Sequence, residues 1–375
     1  MKIVFLHSHK FRKIKNEYYS LGGLSDKVLG RYAQYADEVT IIARIIEQEE
    51  FDDNNMYSKI INEKVEIKDY RNLSRRELKE EINSADRVIA RLPCMISIKG
   101  IKLAKKLDKK YLVEVVGCAW DAYWNHSLRG KVVALWMFMK MKSAIKKAPR
   151  VLYVSNEFLQ NKYPTNGIQI ACSDVVLPNL EEKILNRRNA KIENMKKNNK
   201  IIIGTIGAVD VKYKGQAYVI KAVKNLKNKG YNIEYQVVGS GNNKNLQKIA
   251  KKYNVYKDVK FIGSLPHEKI FDWIDNIDIY IQPSKVEGLP RALIEAMSRA
   301  CPCIGSTAGG IPELLKPEYI FKKGDSKELA KIVENLSKDN MLEQASFNFE
   351  QAQKYNGKVI NNRRNKFYEE FISEI

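Results

Sequence analysis

Short β-rich apolar runs recur along the whole chain, with helix-period polar stretches between them. In the first half they read "KIVFLH", "EVTIIAR", "RVIARL", "YLVEVV" and "VLYVS". In the second half they read "IIIGTIG", "IEYQVVGSG", "VKFIG", "DIYIQPS" and "PCIGS". Strands alternating with helices predict parallel sheets covered on both faces. Two such series predict an α/β chain of two doubly wound domains. The segment 175–200, "VVLPNLEEKILNRRNAKIENMKKNNK", passes from a Pro-Asn turn into a charged, strand-free stretch and marks the boundary. The expected division is 1–180, 181–356, and a last helix over 357–375 that packs back on the first domain. In open α/β sheets, ligands sit beyond the carboxyl ends of the strands, so the loops that follow each strand carry the search for function.

Composition agrees with this layout and narrows the setting. A length of 375 residues suits two domains, and 44% hydrophobic against 29% charged residues is globular rather than disordered. No apolar run approaches bilayer-spanning length, and "MKIVFLHS" reads as a buried first strand rather than a signal peptide. Cys94, Cys118, Cys172, Cys301 and Cys303 form no C-x-x-C pair, which predicts free thiols and a cytoplasmic chain. "CPC" at 301–303 has no His or Cys partners at ligand spacing, so a structural role is expected. "HSH" at 7–9 is placed at the end of the first strand, as a loop contact, core packing or a metal pair.

Charge is uneven. The net charge is +21, and residues 99–150 hold 13 basic against 3 acidic side chains. Residues 1–180 hold 31 against 21, so that single stretch supplies the whole surplus of the first half. It predicts an anionic partner: a membrane surface, a phosphate-rich substrate or nucleic acid. Within it, Val132–Met139 forms an apolar core between lysines, which suits either an anionic membrane face or a helix buried on all sides.

Four loops stand out as ligand candidates. Gly22 and Gly23 are expected to open a helix after the first strand, as a plain turn or an anion-binding N-terminus. In "GTIGAVDVKYKGQ" a strand ends at Gly207, and Lys212 and Lys214 precede a helix starting near Gly215. A lysine beside a helix N-terminus is suited to a diphosphate. Gly239, in "VVGSGNN", belongs to a tight turn or a nucleotide-accommodating loop, but position 244 is Lys and breaks a G-x-G-x-x-G pattern. In "EGLPRALIE", Pro290 suits a helix start and leaves Glu287 in the loop ahead of it. Leu289, Leu293, Ala296 and Ala300 make the packing stripe. Glu295 is expected on a polar side with Arg291 and Ser298, either as an exposed group or as an acceptor for paired sugar or ribose hydroxyls.

Taken together, "PSKVEGLPRALIEAMSRACPCIGSTAGGIPEL" resembles the signature of the retaining glycosyltransferases of family 4, which have the GT-B fold. Two glutamates separated by seven residues are followed by G-G-x-P-E. The likeness is specific over about 200–335 and looser over the first half. The runs "HSHKFR", "YYSLGGLSDKVL" and "VVGCAWDAYWNHS" are similar to those of the capsule, exopolysaccharide and O-antigen subgroup.

This resemblance implies two Rossmann-like domains with a cleft between them, and a role for each matching residue. Glu295 would bind ribose hydroxyls, Glu287 would lie beside the donor sugar, and Lys214 would grip the diphosphate. Backbone amides of Gly288, Leu289, Gly22 and Gly23 would lie near the diphosphate and sugar. Backbone around Ile262 to Leu265 would frame the base. Where many relatives carry Arg this chain has Ala208, with Lys212 as a substitute. Pro290 replaces a second glycine. Gly117 stands where many have a histidine, leaving Asp121 or His126 to serve donor or acceptor.

The implied reaction is transfer from a nucleotide-sugar, UDP first and GDP second, with retention and no essential metal or other cofactor. The implied acceptor is a hydroxyl of a lipid-linked or oligosaccharide chain. Two other readings are a nucleotide-sugar epimerase of the same fold, whose relatives lack the paired glutamates, and a basic nucleic-acid-binding protein, for which no module is present.

Overall fold

The structure is a computed structural model that describes residues 1–52, 56–120, 128–196 and 200–374. It divides into two compact units, Met1–Cys172 with Arg363–Ile375, and Ser173–Asn362. The divisions at 180 and 357 drawn from the sequence therefore shift to 172 and 363. The last strand of the first unit ends at Ala171, and one helix, Gly357–Ser373, runs unbroken across the second division.

In the first unit the strands are β1 (Lys2–Ile14), β2 (Glu17–Ser20), β3 (Glu38–Glu47), β4 (Ser58–Lys59), β5 (Val65–Asp69), β6 (Arg87–Leu92), β7 (Lys110–Val115), β8 (Arg150–Tyr153) and β9 (Ile168–Ala171). The parallel order is β5-β3-β1-β6-β7-β8-β9; β2 pairs antiparallel with the far end of β1, and β4 pairs antiparallel with β2. Two sequence expectations fail here. "HSH" lies inside β1, at a register shift between Leu6 and Lys10, rather than at its end. The glycine pair follows β2, because the chain first turns back through Lys15 and Asn16, both in the left-handed region. The helix then begins at Asp26. β2 and β4 are short and largely polar, so their strand character comes from pairing rather than from an apolar pattern.

The second unit has β10 (Ile201–Ile206), β11 (Ile233–Val238), β12 (Val259–Gly263), β13 (Ile279–Gln282), β14 (Cys303–Ser306) and β15 (Ile320–Phe321), all parallel, in the order β12-β11-β10-β13-β14-β15. Ile203, Val237, Ile281 and Ile304 bury their side chains in its core with Val219, Val223 and Leu226 of the helix Gln216–Asn228. Strand order reverses between β10 and β13. At such a switch point, connecting helices leave to opposite faces and open a crevice at the carboxyl ends.

The charged segment after the boundary forms the helix Glu182–Glu193. Its buried Arg188 donates to the Ile277 and Ile274 carbonyls at 2.7 and 2.8 Å, which caps the end of the helix His267–Asn276. In the first unit, Arg87 donates to the Phe371 and Ile372 carbonyls at 3.0 and 2.6 Å, and Arg150 pairs with Glu370 and Glu374. These contacts seat residues 363–374 against the amino ends of β6 and β8.

Candidate functional site

The switch point of the second unit gathers three loops. The first leaves β10 at Gly207 and makes a short turn over Lys212–Lys214 before the helix Gln216–Asn228. The second leaves β13 and reaches the helix Arg291–Ser298. The third leaves β14 and carries Gly309 and Gly310. Backbone contacts lock them together. Lys285 N–H donates to the Tyr213 carbonyl at 2.7 Å, and Gly310 N–H to the Gly288 carbonyl at 2.8 Å. Gly215 has φ +82°, and a Cβ there would stand 2.0 Å from the Pro283 carbonyl. Gly309 has φ +58°, and a Cβ there would stand 2.1 Å from the Glu287 carbonyl. Only glycine meets both demands at once. The G-G-x-P-E string is thus the piece that lets the third loop close on the Glu287 loop.

Inside this frame stands Glu287. Its Oε1 accepts from Lys214 Nζ at 2.8 Å, Ser284 Oγ at 2.7 Å and Gln282 Nε2 at 3.2 Å. Gln282 is oriented in turn by the Tyr280 hydroxyl, which donates to its Oε1 at 2.7 Å. Gln282, Ser284 and Tyr280 are buried, whereas the Lys214 and Glu287 side chains keep 26% and 11% of their exposure. Among the described residues, these three contacts all end on Oε1. Ser284 and Gln282 were not singled out in the sequence. Their signal was "IQPS", where an apolar strand ends in buried polar residues directly ahead of a carboxylate.

Glu295 departs from its expected setting. The helix carrying it buries Leu293, Ile294, Ala296, Met297 and Ser298, so Ser298 does not share a solvated face with Arg291. The Ser298 hydroxyl donates to the Glu295 carbonyl at 2.6 Å. The Glu295 side chain is only 12% exposed and lies 3.3 Å from His267 Nε2. This contact raises the His267 pKa above its ordinary 6.5, against the opposing effect of partial burial. His267 is a third residue missed by sequence reasoning. It begins a helix right after "GSLP", next to the segment expected to frame a base.

Ile262 and Leu265 flank the end of β12, with Ile262 exposed. Gly207 N–H donates to the Val238 carbonyl at 2.8 Å and Gly239 N–H to the Gly263 carbonyl at 2.9 Å, so these glycines join three strand ends. Lys212 is exposed and Leu289 buried, with Gly288 between Glu287 and Leu289 at the loop joint. Gly22 and Gly23 lie in the first unit, Gly23 beside His9, whose Nε2 is 2.9 Å from Ser20 Oγ. Burial, then the Arg91 and Arg12 cations, push the His9 pKa down to about 4, so its imidazole is neutral. Asp121 and His126 lie outside the described residues. Cys301 and Cys303 are buried, burial pushes both thiols up, and Cys303 Sγ donates to the Cys301 carbonyl at 3.0 Å. Among the described residues, no group of three or more His, Cys, Asp and Glu is placed to hold a metal.

The family model for glycosyl transferases group 1 matches residues 186–358, which contain this site. Protein CapJ of Staphylococcus aureus is 35% identical over 98% of this chain and 98% of its own length. The amylovoran biosynthesis glycosyltransferase AmsK of Erwinia amylovora is 35% identical over 33% of each chain. Among solved structures, the sucrose-phosphate synthase of Thermosynechococcus elongatus superposes with a TM-score of 0.68 at 15% identity, covering 100% of this chain and 99% of its own. Anabaena HepE in complex with UDP-glucose gives 0.66 at 16% identity, covering 99% and 100%.

Proposed function

This chain belongs to the group 1 glycosyltransferases and has their GT-B fold, and we propose that it moves a sugar from a UDP-sugar to a hydroxyl of a growing surface polysaccharide. The observation that carries this reading is the Lys214–Glu287 pair at the switch point, with Glu295 held 3.3 Å from His267 on the adjoining helix. Each part has a task in such a transfer. Lys214 and the N-terminal amides of the helix Gln216–Asn228 stabilise charge as the diphosphate leaves. Glu287 Oε2 accepts from donor-sugar hydroxyls, and Glu295 accepts from the ribose pair. Strand ends at Gly207 and Gly239 and the segment Ile262–Leu265 enclose the nucleotide.

UDP is the preferred nucleotide and GDP the next. HepE, of the same fold, is held in complex with UDP-glucose, and AmsK is named for a polysaccharide pathway. As the family resemblance implies, configuration at the anomeric carbon is retained and no metal is required. The acceptor is a lipid-linked or oligosaccharide chain, met from the cytoplasmic side at an anionic membrane face. No helix among the described residues is long and apolar enough to cross a membrane, so this reading makes the association peripheral.

The test is thermal stabilisation by UDP, GDP, ADP and CMP, in parallel with Glu295→Ala. A ligand that binds only the folded state raises Tm as its concentration passes Kd. UDP should stabilise the native chain, and the variant should respond far less. Failure of every nucleotide would overturn the reading. Activity of the native enzyme should persist in a chelator.

A further inference from the structure

The helix Leu128–Lys146 is apolar on two faces, and only one of them is covered. Ala134, Met137, Met141 and Ile145 are buried, at the spacing of one helix face. On the opposite side Val132 is 78% exposed, Leu135 50%, Trp136 43% and Met139 54%. The expectation of a helix enclosed on all sides is therefore incorrect. A contiguous apolar ridge of this kind on a water-facing helix marks an interaction surface.

One turn further along the same face the chemistry changes. A cavity of about 290 Å³ opens between this helix and the helix Met95–Lys106, and Lys102, Lys105, Lys140 and Lys147 line it. Ile98, Ile101 and Tyr111 contribute its apolar lining, and no carboxylate does. Lys140 Nζ also lies 5.8 Å from the centre of the Trp136 ring, which ties the cavity to the ridge. Positions 132, 136, 140, 143 and 147 fall three or four apart, so ridge and cavity form one continuous strip.

We propose that this strip is a membrane-docking surface, on which the ridge Val132–Met139 enters the lipid interface while the four-lysine cavity takes the phosphate headgroup of an anionic phospholipid. Apolar side chains and a tryptophan favour the boundary between headgroups and acyl chains, and ammonium groups beside them favour anionic lipid. Nucleic acid would match the lysines but leave the ridge unburied. A second copy of this chain would bury the ridge but bring eight ammonium groups together. Only an anionic lipid surface satisfies both halves. The proposal deepens the membrane side of the function above. It rests on the first unit alone, so nucleotide binding by the second unit is a separate readout.

The experiment is flotation of the full chain with phosphatidylcholine vesicles, with and without phosphatidylglycerol. Binding should be at least about tenfold stronger to the anionic vesicles and weaken with salt. Lys102→Gln with Lys105→Gln should reduce it by roughly 25-fold, at about fivefold per lysine. Trp136→Ser with Met139→Ser should also reduce it, and this loss should remain at low salt. Both double variants should keep the native Tm and the native UDP response. Equal flotation on the two vesicle types, flotation indifferent to both double variants, or capture by inorganic phosphate or DNA without vesicle binding would each overturn the proposal.

Discussion

Two glutamates, one in each unit, are paired with a cation, and their surroundings differ in kind. Glu114 on β7 is 2.5 Å from Arg91 on β6 and accepts from the hydroxyls of Tyr32 (2.8 Å) and Tyr368. Arg91 and Glu114 are buried, with side-chain exposures of 9% and 4%. Partners reach both Glu114 oxygens, and one of those partners comes from the end of the chain. Glu287 also has a cation and two further donors, but all of them converge on one oxygen. Its cation is a lysine, a compact charge on a flexible stem that an arriving phosphate can share. The guanidinium of Arg91 is planar and enclosed. The first pair ties strand, helix and chain terminus together. The second keeps a carboxylate oriented and half available. Glu114 is engaged on both oxygens and Glu287 on one, which is the difference expected between a carboxylate that serves the fold and one proposed to serve a ligand.

The contrast can be broken most forcefully at Arg91. Arg91→Met removes one partner of a buried pair, which costs about 3–5 kcal/mol because Glu114 is left in the interior without its cation. A large drop in Tm, with UDP binding retained in whatever fraction stays folded, is the expected result. Lys214→Ala should do the reverse, lowering kcat by about 100-fold or more with little change in Tm. If both substitutions acted alike on stability and turnover, the distinction between the two pairs would be lost. Ser284→Ala sharpens the comparison. It removes one of three donors to Glu287 Oε1, about 1 kcal/mol, so kcat/KM should fall about fivefold, and Ser284→Thr should restore much of it.

The smallest effect concerns pH. The His267 pKa is raised in the folded chain by Glu295, so the folded state binds a proton more tightly than the unfolded one. Its contribution is complete below the unfolded value near 6.5 and is lost as pH rises through the higher folded value. The His267 side chain is 50% exposed, so the contribution stays under about 1 kcal/mol. The Tm difference between the native chain and His267→Gln should shrink from pH 6 to pH 8. A difference that grew over that interval would contradict the pairing.

Much of this was legible in the order of residues. Parallel sheets can be read from apolar runs because strands covered on both faces need continuous Val, Ile and Leu, and every central strand carries them. Glu287, Glu295 and Lys214 stand out in the sequence because each sits at a fixed distance along the chain from a strand end or helix start, and those distances are local. β2 and β4 could not be read, since their pairing partners are remote and their own pattern is polar. Three facts about these residues were decided only in three dimensions: the approach of Lys214 to Glu287 across 73 positions, the approach of His267 to Glu295 across 28, and the convergence of three donors on one oxygen of Glu287. The uncovered ridge on the helix Leu128–Lys146 is a fourth. Hydrophobicity along a helix states what could be buried, but only the packing of neighbouring elements decides which face meets them and which is left to water.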